Sequence, residues 1–407
     1  MDLSGKTVGV WGYGISGKSI VKFLSQLGEI KIVVFDQGKL SNADVAWLKS
    51  NKIMLHDGDV QPFLERCDHV IPSPGIDIRE YNTEKIIAEL DLFQQFYTKP
   101  VIAVTGTLGK TTVVTLVARA FEKAGVRVAV GGNIGVGIFD LIEQDVDVVL
   151  LEASSFQLER CKTFAPKVAV ITNLYPNHLD RHGTLEAYAR AKENIHCHQK
   201  VPCLITQDAL VESYRVPARG FEQNWQYVAA ILETFGIDKV LVQKILDEMA
   251  GELVRFAHRL EVVTCEGGVT FVNDSKATVP EACLAAIGMY EKKRTILLLG
   301  GIGKGVDRRG LVSQLSGIKK IICFGKEANV LHNYCQEFNI QTAEYSNLQQ
   351  SVEDACSSAQ TGDTVLLSPA GASFDLYGNY EQRGAHFKVL INEWKKNKEL
   401  THVVTPE

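Results

Sequence analysis

At 407 residues, 45% hydrophobic and 22% charged with a formal net charge of −5, the chain has the make-up of a globular protein with more than one core. The acidic balance leaves no broad basic footprint for nucleic acid, so a polyanionic ligand has to meet lysines and arginines placed locally. Nine cysteines without a C-x-x-C pair read as reduced structural thiols. No apolar run reaches the ~20 residues of a membrane span, and the first residues read as a strand rather than a leader peptide. A cytoplasmic monomer is expected.

Residues 1–98 alternate strand and helix. Thr7–Trp11 reads as a strand, Gly12-Tyr13-Gly14-Ile15-Ser16-Gly17 matches G-x-G-x-x-G, and after a helix a second strand, Lys31–Phe35, ends at Asp36. This is a diphosphate-binding turn with an acid at the ribose position, open to NAD or to another nucleotide diphosphate. A strand from His69 ends in Pro72-Ser73-Pro74-Gly75, a stiff turn at the carboxyl edge where ligands of such sheets sit, the alternative being turn chemistry alone. Thr83–Phe96 reads as a helix, and Lys99-Pro100 marks a domain boundary.

Residues 99–257 are organised around Val101–Thr112, VIAVTGTLGKTT, a short apolar strand that breaks into a glycine turn and feeds a helix. Gly106 and Gly109 let backbone N–H groups approach an anion, Lys110 places a point charge beside the outer phosphates, and Thr111 can ligate magnesium. The strict P-loop spacing is not met, because Val104 stands where the first glycine would be. A strand from Arg127 runs into Gly131-Gly132-Asn133-Ile134-Gly135, and a strand from Val146 delivers Glu152, placed as a hard-cation ligand or as a solvated strand-end acid. A third strand, Lys167–Thr172, ends in Asn173-Leu174-Tyr175-Pro176-Asn177-His178-Leu179-Asp180-Arg181-His182, where His178 suits a metal, a phosphate or a capping loop. Thr184 caps a helix carrying Tyr188-Ala189-Arg190-Ala191-Lys192, and by pattern alone Lys192 reads as a surface lysine. The His196-Cys197-His198 run is not read as a metal site, since adjacent helical side chains diverge.

Residues 258–407 read as a third α/β domain, with strands Val269–Asn273, Arg294–Leu299, Lys320–Phe324 and Thr364–Leu367 and a helix after Pro280. Lys276 and Lys304 are cations on strand-end loops and Ser373 is a hydroxyl on a third, a set able to grip a dicarboxylate or simply to face solvent.

Taken in order, TGTLGKTT, GGNIG, LLEASSFQLE, N-x-x-x-NHLDRH, Y-x-x-AK, Phe256-Ala257-His258-Arg259-Leu260-Glu261, Asn273-Asp274-Ser275-Lys276-Ala277-Thr278, and SPAGASF with Glu381-Gln382-Arg383-Gly384 resemble the Mur ligase family over essentially the whole chain. The resemblance implies three domains: a Rossmann-like one at 1–98 for a UDP-linked substrate, a P-loop ATPase at 99–257 and a Rossmann-like amino-acid domain at 258–407. It implies joining of D-glutamate to UDP-N-acetylmuramoyl-L-alanine through an acyl phosphate in peptidoglycan synthesis. It places ATP on Gly106, Thr107, Gly109, Lys110, Thr111, Thr112, Gln226, His258, Arg259 and Asp274. Magnesium falls on Thr111, Glu152, His178 and Lys192, the last as N6-carboxylysine, with Lys110, Lys192 and His178 the catalytic group. The UDP substrate falls on Ile15, Ser16, Asp36, Ser73, Gly75 and Asn133, and D-glutamate on Lys276, Thr278, Lys304, Ser373, Phe374 and Tyr380. Closure of the third domain is expected to turn on residues near Ala257.

The chain departs from that pattern in four places. Leu108 stands where the family has a polar residue, Asn177 where it has Asp, Glu222-Gln223-Asn224-Trp225-Gln226 where it has a His-Asn-x-x-Asn beside adenine, and the segment Thr206–Gly220 is shorter than the family's. The alternatives are a dehydrogenase built on Gly12–Gly17 and Asp36, a non-catalytic UDP-sugar sensor, and a sibling ligase adding another amino acid.

Overall fold

The computed structural model describes residues 2–81, 84–210, 214–216, 222–251 and 257–403. Phe256, quoted above for the hinge, and part of the 206–220 stretch lie outside the described residues. The chain divides into two compact units, one of residues 1–174 and 181–252, the other of residues 175–180 and 253–407.

The first unit holds two parallel sheets. Strands β1 (Thr7–Trp11), β2 (Lys31–Phe35), β3 (Met54–His56) and β4 (His69–Pro72) lie in the order β3-β2-β1-β4. Chain direction across the sheet reverses at β1, so the crevice outside its carboxyl end is the place for a ligand. Strands β5 (Val101–Thr105), β6 (Val128–Gly132), β7 (Val148–Glu152), β8 (Val168–Ile171) and β9 (Leu204–Ile205) form the other sheet in the order β6-β7-β5-β8-β9. Every residue of β5 and β7 is buried, because helices cover both faces and the strands read as unbroken apolar runs. β7 and β8 flank β5, which brings the loops after all three strands together.

The two sheets share one continuous hydrophobic core, from Val8 and Ile71 through Phe93 and Phe139 to Leu151 and Ile171. Buried Asp91 fastens them further, accepting the N–H groups of Lys162 (2.8 Å), Thr163 (3.0 Å) and Phe164 (2.8 Å). The helix expected over Thr83–Phe96 begins only at Glu89. Thr83 lies outside the described residues; residues 84–88 run beside β4, with Ile86 bridged to Val70, because burying Ile87 and part of Ile86 on the sheet outweighs local helix preference.

The second unit has one six-stranded sheet of β10 (Glu261–Glu266), β11 (Val269–Asn273), β12 (Thr295–Gly300), β13 (Lys320–Phe324), β14 (Thr342–Tyr345) and β15 (Thr364–Leu367). Its order is β10-β11-β15-β12-β13-β14, parallel except for the edge strand β10. The β10–β11 hairpin turns on Gly267 and Gly268, whose φ values of +58° and +75° suit a tight hairpin. β11, β15 and β12 are neighbours, so Lys276, Ser373 and Lys304 lie on loops leaving one stretch of sheet edge.

Candidate active site

The loop between β5 and helix Lys110–Lys123 is built to turn its N–H groups outward. Gly106 (φ +139°) and Gly109 (φ +84°) take conformations that side chains rarely adopt, and the helix N-terminus follows directly. Asn173 braces the loop from β8, its Oδ1 accepting the Leu108 N–H (2.8 Å) and its backbone carbonyl the Thr107 N–H (3.0 Å). Leu108 itself contributes backbone only to these bonds. Lys110 folds back and donates to the carbonyls of Gly106 (2.8 Å) and Thr107 (3.1 Å). Thr112 is buried, and its hydroxyl has no hydrogen-bond partner among the described residues.

Glu152 lies at the floor of this arrangement, 2% exposed at the end of β7. One carboxylate oxygen accepts the Thr111 hydroxyl (2.8 Å) and the other the Asn133 amide (2.8 Å). Asn133 is held in turn by its own N–H on the Glu152 carbonyl (2.8 Å). A Cβ on the preceding Gly132 would lie 2.4 Å from that carbonyl oxygen, which is why glycine stands there. Hydroxyl and carboxylate oxygens side by side are the donors a hard cation prefers.

Lys192 corrects the surface expectation, being 2% exposed. Its helix, Leu185–Glu193, buries Tyr188, Ala191 and Lys192 on one face, so the same spacing that hides the tyrosine hides the lysine. Nζ donates to the Gly106 carbonyl (2.9 Å) and Thr105 Oγ1 (3.2 Å) and lies over the Tyr188 ring at 4.7 Å. Burial, with Lys110 nearby, pushes the ammonium well below the ordinary lysine range, against the pull of Glu152. Tyr188 also shares a hydrogen bond with Thr107 Oγ1 (3.1 Å).

At the β1–β4 edge, Asp36 accepts the N–H groups of Tyr13 (2.6 Å) and Gly38 (2.7 Å), and the Ser73 hydroxyl donates to the Gly12 carbonyl (3.1 Å). Ile15 is 70% exposed and Gly75 is exposed beside them. Glu89 accepts from Gln157 (3.3 Å), and burial holds its carboxyl up at about 7, with Gln157 and Ser16 opposing.

In the second unit, Lys276 Nζ lies 3.7 Å from the centroid of the Tyr380 ring. Lys304 sits at φ +54°, Thr278 is half-buried, Ser373 is buried, and Phe374 projects with 69% exposure. His258 (φ +61°) passes its carbonyl to the Lys276 N–H (3.1 Å). Asp274 accepts from the Ser368 hydroxyl (2.8 Å) and the Leu260 N–H (3.2 Å), and burial raises its carboxyl to about 7, with Arg259 opposing. His178 is at φ +54° and donates its N–H to the Asn177 side chain (3.0 Å). Among the described residues, no three His, Cys, Asp or Glu side chains cluster to hold a metal by themselves.

The residue pattern did not single out several side chains that shape these loops. Asn224 is one: its Oδ1 would lie 2.6 Å from a Cβ on Gly109, so it packs on the P-loop backbone beside the half-buried Gln226. Arg308 and Arg383 are others: Arg308 is buried beside the glycine-rich loop after Gly300, and Arg383, quoted above only as part of a family motif, is buried in the first turn of the helix Tyr380–Val403.

Parallel α/β sheets, one carrying a P-loop with a carboxylate at the adjoining strand end, define a multidomain enzyme that uses a nucleoside triphosphate. Three family models match: the MurD N-terminal domain over residues 7–80, the Mur ligase middle domain over 104–216, and the Mur ligase glutamate ligase domain over 258–371. Named UDP-N-acetylmuramoylalanine–D-glutamate ligase, the protein of Alkaliphilus oremlandii is 32% identical over 96% of this chain and 99% of its own. One of the same name from Fervidobacterium nodosum is 33% identical over 94% and 98%. In fold the chain is similar to a pseudomurein peptide ligase type C from Methanothermus fervidus (TM-score 0.62, 15% identity, 96% of this chain and 100% of that one). It is also similar to the UDP-N-acetylmuramate-alanine ligase of Thermotoga maritima (TM-score 0.58, 17% identity, 96% and 99%). The chain belongs to the Mur ligase family and is an ATP-dependent ligase. No helix among the described residues is long and apolar enough to cross a membrane.

Proposed function

We propose that this ligase joins D-glutamate to UDP-N-acetylmuramoyl-L-alanine in peptidoglycan synthesis, with the UDP substrate on residues 1–98, ATP on 99–257 and the amino acid on 258–407. The observation that carries it is the seating of Thr111 and Asn133 on the two oxygens of Glu152 beneath the outward-facing N–H groups of the P-loop. Full-length relatives that bear the D-glutamate ligase name support the choice of substrates.

A carboxylate accepts an amine only after one oxygen becomes a good leaving group, so the γ-phosphoryl of ATP goes first to the L-alanyl carboxylate. Lys110, released from the Gly106 and Thr107 carbonyls, would follow the β and γ phosphates as charge shifts between them. Gly106, Gly109 and the first turn through Thr112 supply N–H groups, with Thr107, whose own N–H is held by the Asn173 carbonyl, and Gln226, His258, Arg259 and Asp274 assigned to the rest of the nucleotide. Thr111, Glu152, His178 and Lys192 would hold magnesium, which neutralises charge on the phosphates when bound. The low-lying ammonium of Lys192 suits carbamylation, because the neutral amine is the form that takes up carbon dioxide. Ile15, Ser16, Asp36, Ser73, Gly75 and Asn133 are assigned to the UDP substrate, and Lys276, Thr278, Lys304, Ser373, Phe374 and Tyr380 to D-glutamate. Its amine then attacks the acyl phosphate, phosphate leaves, and an amide remains.

Phosphate release with ATP, UDP-N-acetylmuramoyl-L-alanine and a panel of amino acids tests this. D-Glutamate alone should support turnover and Lys110→Ala should abolish it; release with another amino acid instead would refute the substrate assignment.

A further inference from the structure

Two arginines are buried beneath the loops that leave β11, β15 and β12. Arg383 is fully enclosed; its Nε donates to Ser275 Oγ (3.0 Å), Nη2 to the Ser275 carbonyl (2.8 Å) and Nη1 to the Gly371 carbonyl (3.0 Å). Ser275 immediately precedes Lys276, and Gly371 lies two residues before Ser373. Arg308 donates to the carbonyls of Gly300 and Gly301 (2.9 Å each) and to Glu327 (2.5 Å), whose other oxygen accepts the Gly303 N–H (3.0 Å) beside Lys304. The braces interlock. A Cβ on Gly301 would come 2.9 Å from Arg383 Nη1, and one on Gly371 2.8 Å from Arg308 Nη1.

The two guanidiniums differ in charge balance. Arg308 is paired with Glu327, whereas all three Arg383 bonds go to uncharged oxygens. Asp375, the acid that acts on Arg383, accepts the Lys326 N–H instead (3.0 Å). Burial foremost, with Arg308 adding to it, lowers the Arg383 guanidinium to about 10, so it stays charged at neutral pH. A brace alone needs no net charge; a buried cation that is hydrogen-bonded to no carboxylate under two loops also attracts an anion.

We propose that Arg383 is the positioning residue of the amino-acid site, fixing the Ser275–Lys276 loop against the Gly371–Ser373 loop and lending its buried charge to the hold on a dicarboxylate amino acid. The inference rests on the proposed function. It acts through Lys276 and Ser373 and touches no substrate.

Steady-state phosphate release is titrated separately with D-glutamate, ATP and UDP-N-acetylmuramoyl-L-alanine for wild type, Arg383→Met and Arg383→Lys. Arg383→Met should raise the KM for D-glutamate about tenfold or more and leave the other two within about twofold. Arg383→Lys, which keeps the charge but loses the planar fork, should fall between, at about threefold. An unchanged D-glutamate KM in Arg383→Met, or a parallel rise in all three KM values, overturns the proposal. A lysine variant as impaired as the methionine one overturns the role of charge. If Arg383→Met does not fold, Arg383→Lys decides alone, and a D-glutamate KM equal to wild type overturns the positioning role. Wild type that releases no phosphate with D-glutamate refutes the functional assignment itself and this inference with it.

Discussion

Gly106→Ala tests the P-loop most directly. Gly106 is at φ +139°, and a Cβ there would lie 2.0 Å from Thr172 Oγ1 and 3.1 Å from the Thr172 Cβ and backbone nitrogen. Thr172 cannot rotate away without loss, since its hydroxyl donates to the Leu108 carbonyl (2.5 Å) and approaches that of Thr105 (3.3 Å). A non-glycine residue at such a φ costs about 1–3 kcal/mol, and each buried hydrogen bond broken costs about 1 kcal/mol. The total, about 3–5 kcal/mol, exceeds what the loop gains from its two Asn173 bonds, so the expected relaxation lifts residues 106–108 off β8 and turns the N–H groups out of register. Gly125→Ala is the control: φ is +76°, yet nothing lies within 4 Å of the added atom. Titration with a fluorescent, non-hydrolysable ATP analogue should show affinity reduced about 100-fold or more in Gly106→Ala and within about twofold of wild type in Gly125→Ala. Adding Thr172→Ala to Gly106→Ala should recover part of the lost melting temperature by removing the nearer contact, without restoring affinity. Nucleotide affinity of Gly106→Ala within about threefold of wild type would refute the reasoning, because steric and backbone costs would then have been absorbed without moving the anion-facing groups.

Thr111→Val should raise the magnesium concentration needed for half-maximal phosphate release about tenfold or more, with Thr111→Ser near wild type; equal requirements in all three would remove the hydroxyl from the metal site. Lys192→Met should abolish turnover, and carbon-13-labelled carbon dioxide should give wild type a carbamate resonance that the variant lacks; full turnover by Lys192→Met would exclude the catalytic role. Asp274 makes stability fall as pH rises. Below the unfolded value of 3.8 both states hold the proton, and between 3.8 and about 7 only the folded state does, so on the order of 4 kcal/mol is lost across that window and no more above it. Asp274→Asn should flatten that part of the urea-unfolding profile between pH 4 and 8, and an unaltered slope would assign it elsewhere.

The central strands and the P-loop were legible because they obey local rules: unbroken apolar runs bounded by glycine or proline, each followed by a helix-period segment. Edge strands β3, β9, β10 and β14 were not, being half-exposed and, apart from β10, short, with pairing decided by the sheet rather than by their own residues. Glu152 was placed correctly at the strand end because a charge stops an apolar run wherever it falls. Lys192 was misplaced by pattern alone for the converse reason: one charged residue on a helix gives no sign of which face it occupies, and only Tyr188, one turn earlier, hints at the buried side. Asn224 could not be found locally, since what it touches is a glycine more than a hundred residues away.

A physical necessity joins Lys110 and Lys192 to Arg308 and Arg383. A strand-end loop that turns its N–H groups out toward an anion must turn carbonyls inward, where water does not reach and each unmet acceptor is costly. In the first unit Lys192 and Lys110 both donate to the Gly106 carbonyl; in the second Arg383 serves Ser275 and Gly371, and Arg308 serves Gly300 and Gly301. Where the donor is a cation, as at Arg308 and Arg383, it satisfies the carbonyls and favours the anion outside with the same charge, which an amide or hydroxyl would not do; Lys192, which burial pushes toward the neutral amine, gives its hydrogen bonds without that charge. This sharpens what carbamylation of Lys192 entails. It leaves one N–H on Nζ where the neutral amine has two, so the bonds to Gly106 and Thr105 cannot both persist, and an anion replaces an amine behind the loop. A bound cation on Glu152 and Thr111 would then have to offset the new charge, which ties the modified state of Lys192 to metal occupancy rather than to the empty loop.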